Sequence, residues 1–214
     1  MQYSSALSDA LLALACLAGL IELGRGWRRA PSRAQPALLA ALLGFALTAA
    51  AAGSGIVHYG LDPDWSTAHQ WLSRASSLLG LPLIAASTLS LSLGRGDRLA
   101  HWLGLTLSLG ALFVLAYWLD LGAIIGLPLN LISLALLLAA GRRQMPQRAP
   151  LLAAGMVVGL FLLAGLGIGS QGLIGPWQRV DLFHVLLSAA YPLLAWLILA
   201  MPSTQSAEKT VKTL

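Results

Sequence analysis

The sequence predicts an all-α, polytopic membrane protein: a bundle of seven transmembrane helices, N-terminus outside and C-terminus in the cytoplasm. Three observations predict it. Hydrophobic residues make up 57% of the chain and charged residues only 10%, where a soluble domain carries roughly 25% charge; mean hydropathy is +0.78. Apolar runs of about 20 residues, enough to cross a bilayer core, recur seven times. Lys and Arg gather in alternate connections, as the positive-inside rule requires. The chain reads as one membrane domain over 1–202 with a short polar, frayed cytoplasmic tail over 203–214, in the inner membrane if the source is bacterial. The net charge of +5 is assigned to loops on the cytoplasmic side, and no nucleic-acid partner is expected. The single cysteine, Cys16, lies in an apolar run; it reads as packing, and internal disulfides and CxxC motifs are excluded.

The spans fall at roughly 5–24, 35–57, 67–93, 99–118, 121–140, 150–169 and 180–201. Met1 to Asp9 carries no positive charge, and Arg25, Arg28 and Arg29 follow the first run. That order is the reverse of a secretory signal and predicts a retained first span. Breakers divide the rest: "RGWRRAPSRAQP", "GLDPDW", "GRGDR", "DLG", "GRRQMPQRAP" and "GSQGLIGPWQ". Pro82, Pro128 and Pro192 fall inside spans and predict kinks. Basic residues occupy the first, third and fifth connections (Arg25, Arg28, Arg29, Arg33; Arg95, Arg98; Arg142, Arg143, Arg148) and the tail (Lys209, Lys212). Trp65, Trp71, Trp118 and Trp177 are predicted at the outer boundary, Trp27 and Trp102 at the inner one, as an aromatic belt.

This orientation collects three of the four histidines and, with Asp9 near the N-terminus, five of the eight acids at the outer side. His58 ends the second span; Asp62, Asp64 and His69 follow; Asp120 is at the next outer turn; Asp181 and His184 open the seventh span. His101 starts the fourth span at the inner face, about 30 Å away. Ser54 and His58, at i and i+4, share a helix face, and Asp181, His184, Ser188 and Tyr191 form one stripe. Polar groups one or two turns inside a span cost several kcal/mol against lipid, so both stripes should face the bundle interior. Arg74 is under the same pressure and is expected to pair with Asp62, Asp64 or Asp181.

Two imidazoles and a carboxylate suit zinc or another borderline metal: His58 and His184, with Asp181 as third ligand or as the group orienting His184. A metal-bound water would be the nucleophile near neutral pH. Blander readings stand beside this. Asp62-Pro63-Asp64 is a turn and helix start, where Asp64 or Ser66 caps. Asp120 reads as a turn, His58, His69 and His101 as interfacial residues, and Asn130 as an interhelical hydrogen bond.

Seven spans, the "SGIVH" of Ser54 and His58, and a histidine opening the last span resemble the CREST superfamily, which includes alkaline ceramidases and adiponectin-receptor-like proteins. "GIVHYG" with "DLFHVLLSAAY" also looks like small uncharacterised bacterial membrane proteins of the same plan. The resemblance implies a zinc-dependent amide hydrolase acting on lipid. His58 and His184 match metal ligands and Ser54 the family's serine; Asp62, Asp64 or His69 would take the place of its aspartate. The family's second seventh-span histidine is Ser188 here, and Asp181 is the substitute one turn earlier.

The expected function is thus a metal-dependent membrane hydrolase of a lipid amide or ester at the outer boundary. Its metal would be held by His58, Asp181 and His184, with Ser54, Asp62, Asp64 and His69 as catalytic groups; its partners would be membrane lipids and a lipid-like or small-molecule substrate. The alternative is a non-enzymatic seven-helix protein — sensor, small-solute carrier or assembly factor — whose buried polar network binds a ligand or specifies packing. A third reading is haem b between His58 and His184.

Overall fold

The first helix carries most of its large apolar side chains outward and its small and polar ones inward. On the first helix Leu7, Leu11, Leu14, Leu17 and Ile21 are exposed, while Ser5, Ser8, Asp9, Cys16 and Gly19 are buried. A face that apolar is stable against hydrocarbon, and small residues let helix backbones approach closely. The computed structural model describes residues 2–95 and 98–212, without the side chains of Ala123 and of residues 202–212; the tail expected to be frayed over 203–214 is instead helical through Lys212, its last two residues lying outside the described ones.

The elements are α1 (Tyr3–Arg29), α2 (Gln35–Gly60), a 3₁₀ turn (Pro63–Trp65), α3 (Ser66–Ala75), a π segment (Ser76–Gly80), α4 (Leu81–Ser92), α5 (Leu99–Trp118), α6 (Gly122–Arg143), α7 (Arg148–Leu162), a second π segment (Leu163–Ile168), a hairpin of β1 (Leu173–Ile174) and β2 (Trp177–Gln178), and α8 (Arg179–Lys212). Among the described residues seven helices are long and apolar enough to cross a membrane, with Pro63–Ser92 counting as one span. This is the architecture of a multi-pass membrane protein.

Neighbouring contacts close a ring: α1 packs on α2, α2 on α4, α4 on α6, α6 on α7, α7 on α8, and α8 back on α1. The ring brings the first and last spans side by side. α5 lies outside it, against α2, α6 and the first π segment. The core runs down the middle, with Phe45, Leu83, Ile84, Leu137, Leu194 and Ile198 fully buried.

The first π segment has a sequence cause. Pro82 lacks an N–H, and its ring would strike the carbonyl one turn back in a regular helix. The wider turn just before it, closed by the Leu81 N–H on the Ser76 carbonyl, relieves that clash. Here α2 comes closest: a Cβ on Gly44 would lie 2.6 Å from the Gly80 carbonyl oxygen. One turn on, Thr48 Oγ1 is 2.7 Å from both Ser76 Oγ and Tyr191 OH, a buried polar node joining α2, the π segment and α8. Asn130 donates to Ser77 Oγ at 2.9 Å, the interhelical bond expected of it. The second π segment ends where the Gly169 N–H meets the Ala164 carbonyl at 2.8 Å, and Gly169 turns at φ 71°.

Two further expectations change. The "GSQGLIGPWQ" breaker contains a β-hairpin, Leu173 paired with Gln178 and Ile174 with Trp177; Gly172 and Gly175, at positive φ, supply its turns. Trp102 is packed among its neighbours, whereas Trp65, Trp71, Trp118 and Trp177 are exposed as a belt requires. Arg74 has no ion pair with Asp62, Asp64 or Asp181: its guanidinium lies over the Tyr117 ring, 5.7 Å from the centroid, on the exposed side of α3. A cation–π contact and a long stem that reaches toward headgroups remove the need for an acid. Asp120 is a turn residue at φ 51°, and Cys16 is packed at the core.

Candidate functional site

Ionisable side chains meet where α1, α2, α3 and α8 share one end of the ring. Asp181 sits in the first turn of α8 and His184 one turn further, so both face α1. Ser188 and Tyr191 continue the stripe, and all four are buried. Opposite them α1 presents Ser5, Ser8 and Asp9. Asp9 is six residues into its helix, about 9 Å below the start, and only 1% exposed.

The contacts form one network. His184 Nδ1 lies 3.1 Å from Asp9 Oδ1, a buried acid–imidazole pair. The contact is short, yet Asp9 Oδ1 makes no hydrogen bond there. Ser8 Oγ reaches Asp181 Oδ1 at 3.3 Å, the His184 Nδ1 at 3.5 Å and the Ser5 carbonyl at 3.0 Å. One hydroxyl proton cannot serve all of these at once. Ser5 Oγ donates to Gln178 Oε1 at 3.0 Å, tying α1 to the hairpin. Both oxygens of Asp9 and Asp181 Oδ2 remain buried without a hydrogen-bond partner among the described residues. Asp181 is 6% and His184 8% exposed. Orphaned carboxyl oxygens in a low-dielectric interior are costly.

The α2 side explains how the acid fits. Gly55 packs on Asp9: a Cβ there would overlap Asp9 Oδ2, stand 2.7 Å from its Cγ and 2.9 Å from His69 Cε1. Asp9 and His69 thus converge over a glycine, because no larger residue leaves room. His69 Nδ1 is 3.2 Å from the Ala51 carbonyl and 3.4 Å from Ser54 Oγ. Ser54 Oγ donates to that same Ala51 carbonyl at 2.7 Å.

The expected residues divide. Asp181 and His184 are together in the buried network, and Ser54 and His69 adjoin it through Gly55. His58 is on the rim: its Nδ1 is 3.1 Å from the Pro63 carbonyl, and its ring stacks on His69 with centroids 5.7 Å apart. The 3₁₀ turn folds back over the end of α2 and supplies that carbonyl. Asp62 and Asp64 are exposed; Asp62 Oδ1 accepts the Asp64 N–H at 3.0 Å and caps the turn, so Asp62 rather than Asp64 or Ser66 is the cap. Among the described residues no three His, Cys, Asp or Glu side chains are placed to hold one metal ion. His58, Asp181 and His184 are thus not gathered as one ligand set.

Asp9, Ser8, Ser5 and Gln178 were not legible as site residues by motif. Asp9 carried a usable signal, since it is the one acid placed in the outer half of the first apolar run, where an ionisable residue is expensive.

No curated protein matches the chain, and no solved structure does. A family match spans residues 4–203, which includes every span and the whole polar network, and the chain belongs to that family, DUF6962, a family of unknown function.

Proposed function

We propose that this is a non-enzymatic seven-helix membrane protein that binds a small cationic or hydrogen-bond-donating solute at the Asp9–Asp181–His184 network, as a sensor or carrier does. The basic connections support an orientation with the N-terminus and this network at the outer side and the C-terminus in the cytoplasm. One observation carries the reading: three carboxyl oxygens, on two helices brought together by ring closure, are buried without hydrogen-bond partners among the described residues. A donor-rich ligand would satisfy them, and neighbouring Ser8 and His184 would fix its position.

The test is thermal unfolding of the detergent-purified protein with ammonium, methylammonium, sodium or lithium chloride, at ionic strength matched by choline chloride. At least one should raise the melting temperature of the wild type, and Asp181→Asn should abolish the shift. An unchanged Tm with every probe overturns the reading. Metal analysis of the same preparation addresses the zinc hydrolase suggested by the resemblance to CREST proteins. Near-stoichiometric zinc, lost in both His58→Ala and His184→Ala, would replace the solute-binding reading with lipid amide or ester hydrolysis.

A further inference from the structure

At the opposite end of the bundle, a cavity of about 380 Å³ opens between the end of α4 and the start of α5, lined by Ser90, Arg95, Arg98, His101, Trp102 and Leu105. Its size falls in the range of small-molecule sites, ~300–1,000 Å³. Its lining divides by chemistry. Two guanidiniums, an imidazole and a hydroxyl are the donors; Trp102 and Leu105 form an apolar wall, and Trp102 is itself nearly buried.

The loop that places the first arginine is held from both sides. Ser90 Oγ contacts the Arg95 carbonyl, the Arg95 N–H donates to the Ser90 carbonyl at 3.0 Å, and Gly94 makes the turn at φ 67°. Arg98 then precedes α5, with His101 in its first turn and Trp102 and Leu105 along the helix. Among the described residues neither arginine has an ion pair; Asp97, between them in sequence, lies outside the described residues. Two guanidiniums and an imidazole lining one cavity favour an anion, and guanidinium forks match phosphate oxygens two at a time. The apolar wall is what a glycerol or acyl segment attached to that phosphate would need. Basic pockets between spans are a recurrent way to hold lipid headgroups.

We propose that this cavity binds a phosphate-bearing anion, with Arg95, Arg98 and His101 on the phosphate and Trp102 and Leu105 against the carbon attached to it. Two sources share that chemistry, an anionic phospholipid headgroup and free phosphate. The site is independent of the acid–imidazole network at the other end.

The experiment uses the full chain in a neutral detergent with three probes: dihexanoyl phosphatidylglycerol, dihexanoyl phosphatidylcholine and inorganic phosphate. Binding is read by native mass spectrometry and by thermal shift. Phosphatidylglycerol should bind at least tenfold more tightly than phosphatidylcholine, and Arg95→Gln/Arg98→Gln should remove the difference. Arg98→Lys, which keeps the charge but not the fork, should retain part of it and guards against a folding defect. If inorganic phosphate binds as tightly as phosphatidylglycerol, the ligand is free phosphate; if it does not, the ligand is the lipid headgroup. Equal binding of both lipids together with no phosphate binding, or an unaltered preference in a folded double variant, overturns the proposal.

Discussion

Asp9 Oδ1 and His184 Nδ1 lie 3.1 Å apart, one on the first span and one on the last. That contact is the polar seam by which the helix ring closes. A buried pair is costly to break by halves, because the remaining group stays in the interior without its counterpart. Asp9→Asn and His184→Gln should each lower stability in detergent. In a double-mutant cycle they should show a coupling of about 1–3 kcal/mol. Additivity within about 0.5 kcal/mol would mean that the two side chains do not interact.

Gly55 supplies a steric test of the same site. Gly55→Ala puts a methyl group against the Asp9 carboxyl and the His69 ring and should destabilise by about 1–3 kcal/mol, the usual cost of overpacking. Gly53→Ala has open space around its new Cβ and should be neutral or stabilising by about 0.5–1 kcal/mol through helix propensity. Chemical unfolding of both variants checks this. Equal effects would show that Asp9 does not lie over Gly55.

The node below the site should behave as a shared network. Tyr191→Phe removes one partner of Thr48 Oγ1 and should cost about 0.5–1.5 kcal/mol. Adding Thr48→Val should cost less than the sum of the two single changes, since the lost bonds overlap. Strict additivity would argue that Ser76 or a solvent molecule takes over the Tyr191 hydroxyl.

Arg74 separates two pictures of the third span. With its guanidinium over Tyr117 on the exposed side, Arg74→Gln should change stability by about 1 kcal/mol or less, the scale of an exposed cation–π contact. A loss of about 3–5 kcal/mol would signal the buried acid pair that sequence reasoning expected.

Orientation is open to thiol labelling, because the native Cys16 is fully buried. Ser170→Cys, exposed before the hairpin, should react in intact cells with a membrane-impermeant maleimide. Ser32→Cys, exposed between α1 and α2, should react only after the membrane is opened. The reverse pattern would invert the protein.

Much of the fold was legible because hydropathy and breakers are local signals. The span at 99–118 coincides with α5, and the start expected at 180 falls one residue from that of α8, although α8 runs on past 201 to Lys212. The Asp181–His184–Ser188–Tyr191 stripe was legible for the same reason: spacing within one helix fixes a shared face. What faces that stripe is decided by which helices pack together, and no local pattern encodes that α1 closes on α8. Asp9 was therefore passed over beside the eye-catching Asp62-Pro63-Asp64, where the Asp62 carboxyl caps a turn. His58 illustrates the converse. Its spacing from Ser54 placed it on the right face, but the fold-back of the 3₁₀ turn gave its Nδ1 a backbone carbonyl. Arg74 was given an acid because desolvation was assumed, whereas it stands on the exposed side of its helix.

The closed ring also has a consequence for biosynthesis. Ribosomes deliver α1 first and α8 last, so Asp9 enters the bilayer long before Asp181 and His184 exist. Until the final span is inserted, the nascent protein carries an acid on its first helix with no imidazole to face it. Chains terminated before α8 keep that acid without its imidazole permanently. An incomplete product is thereby marked by its own first helix, in a form that membrane proteases and chaperones sensing polar groups in lipid would recognise.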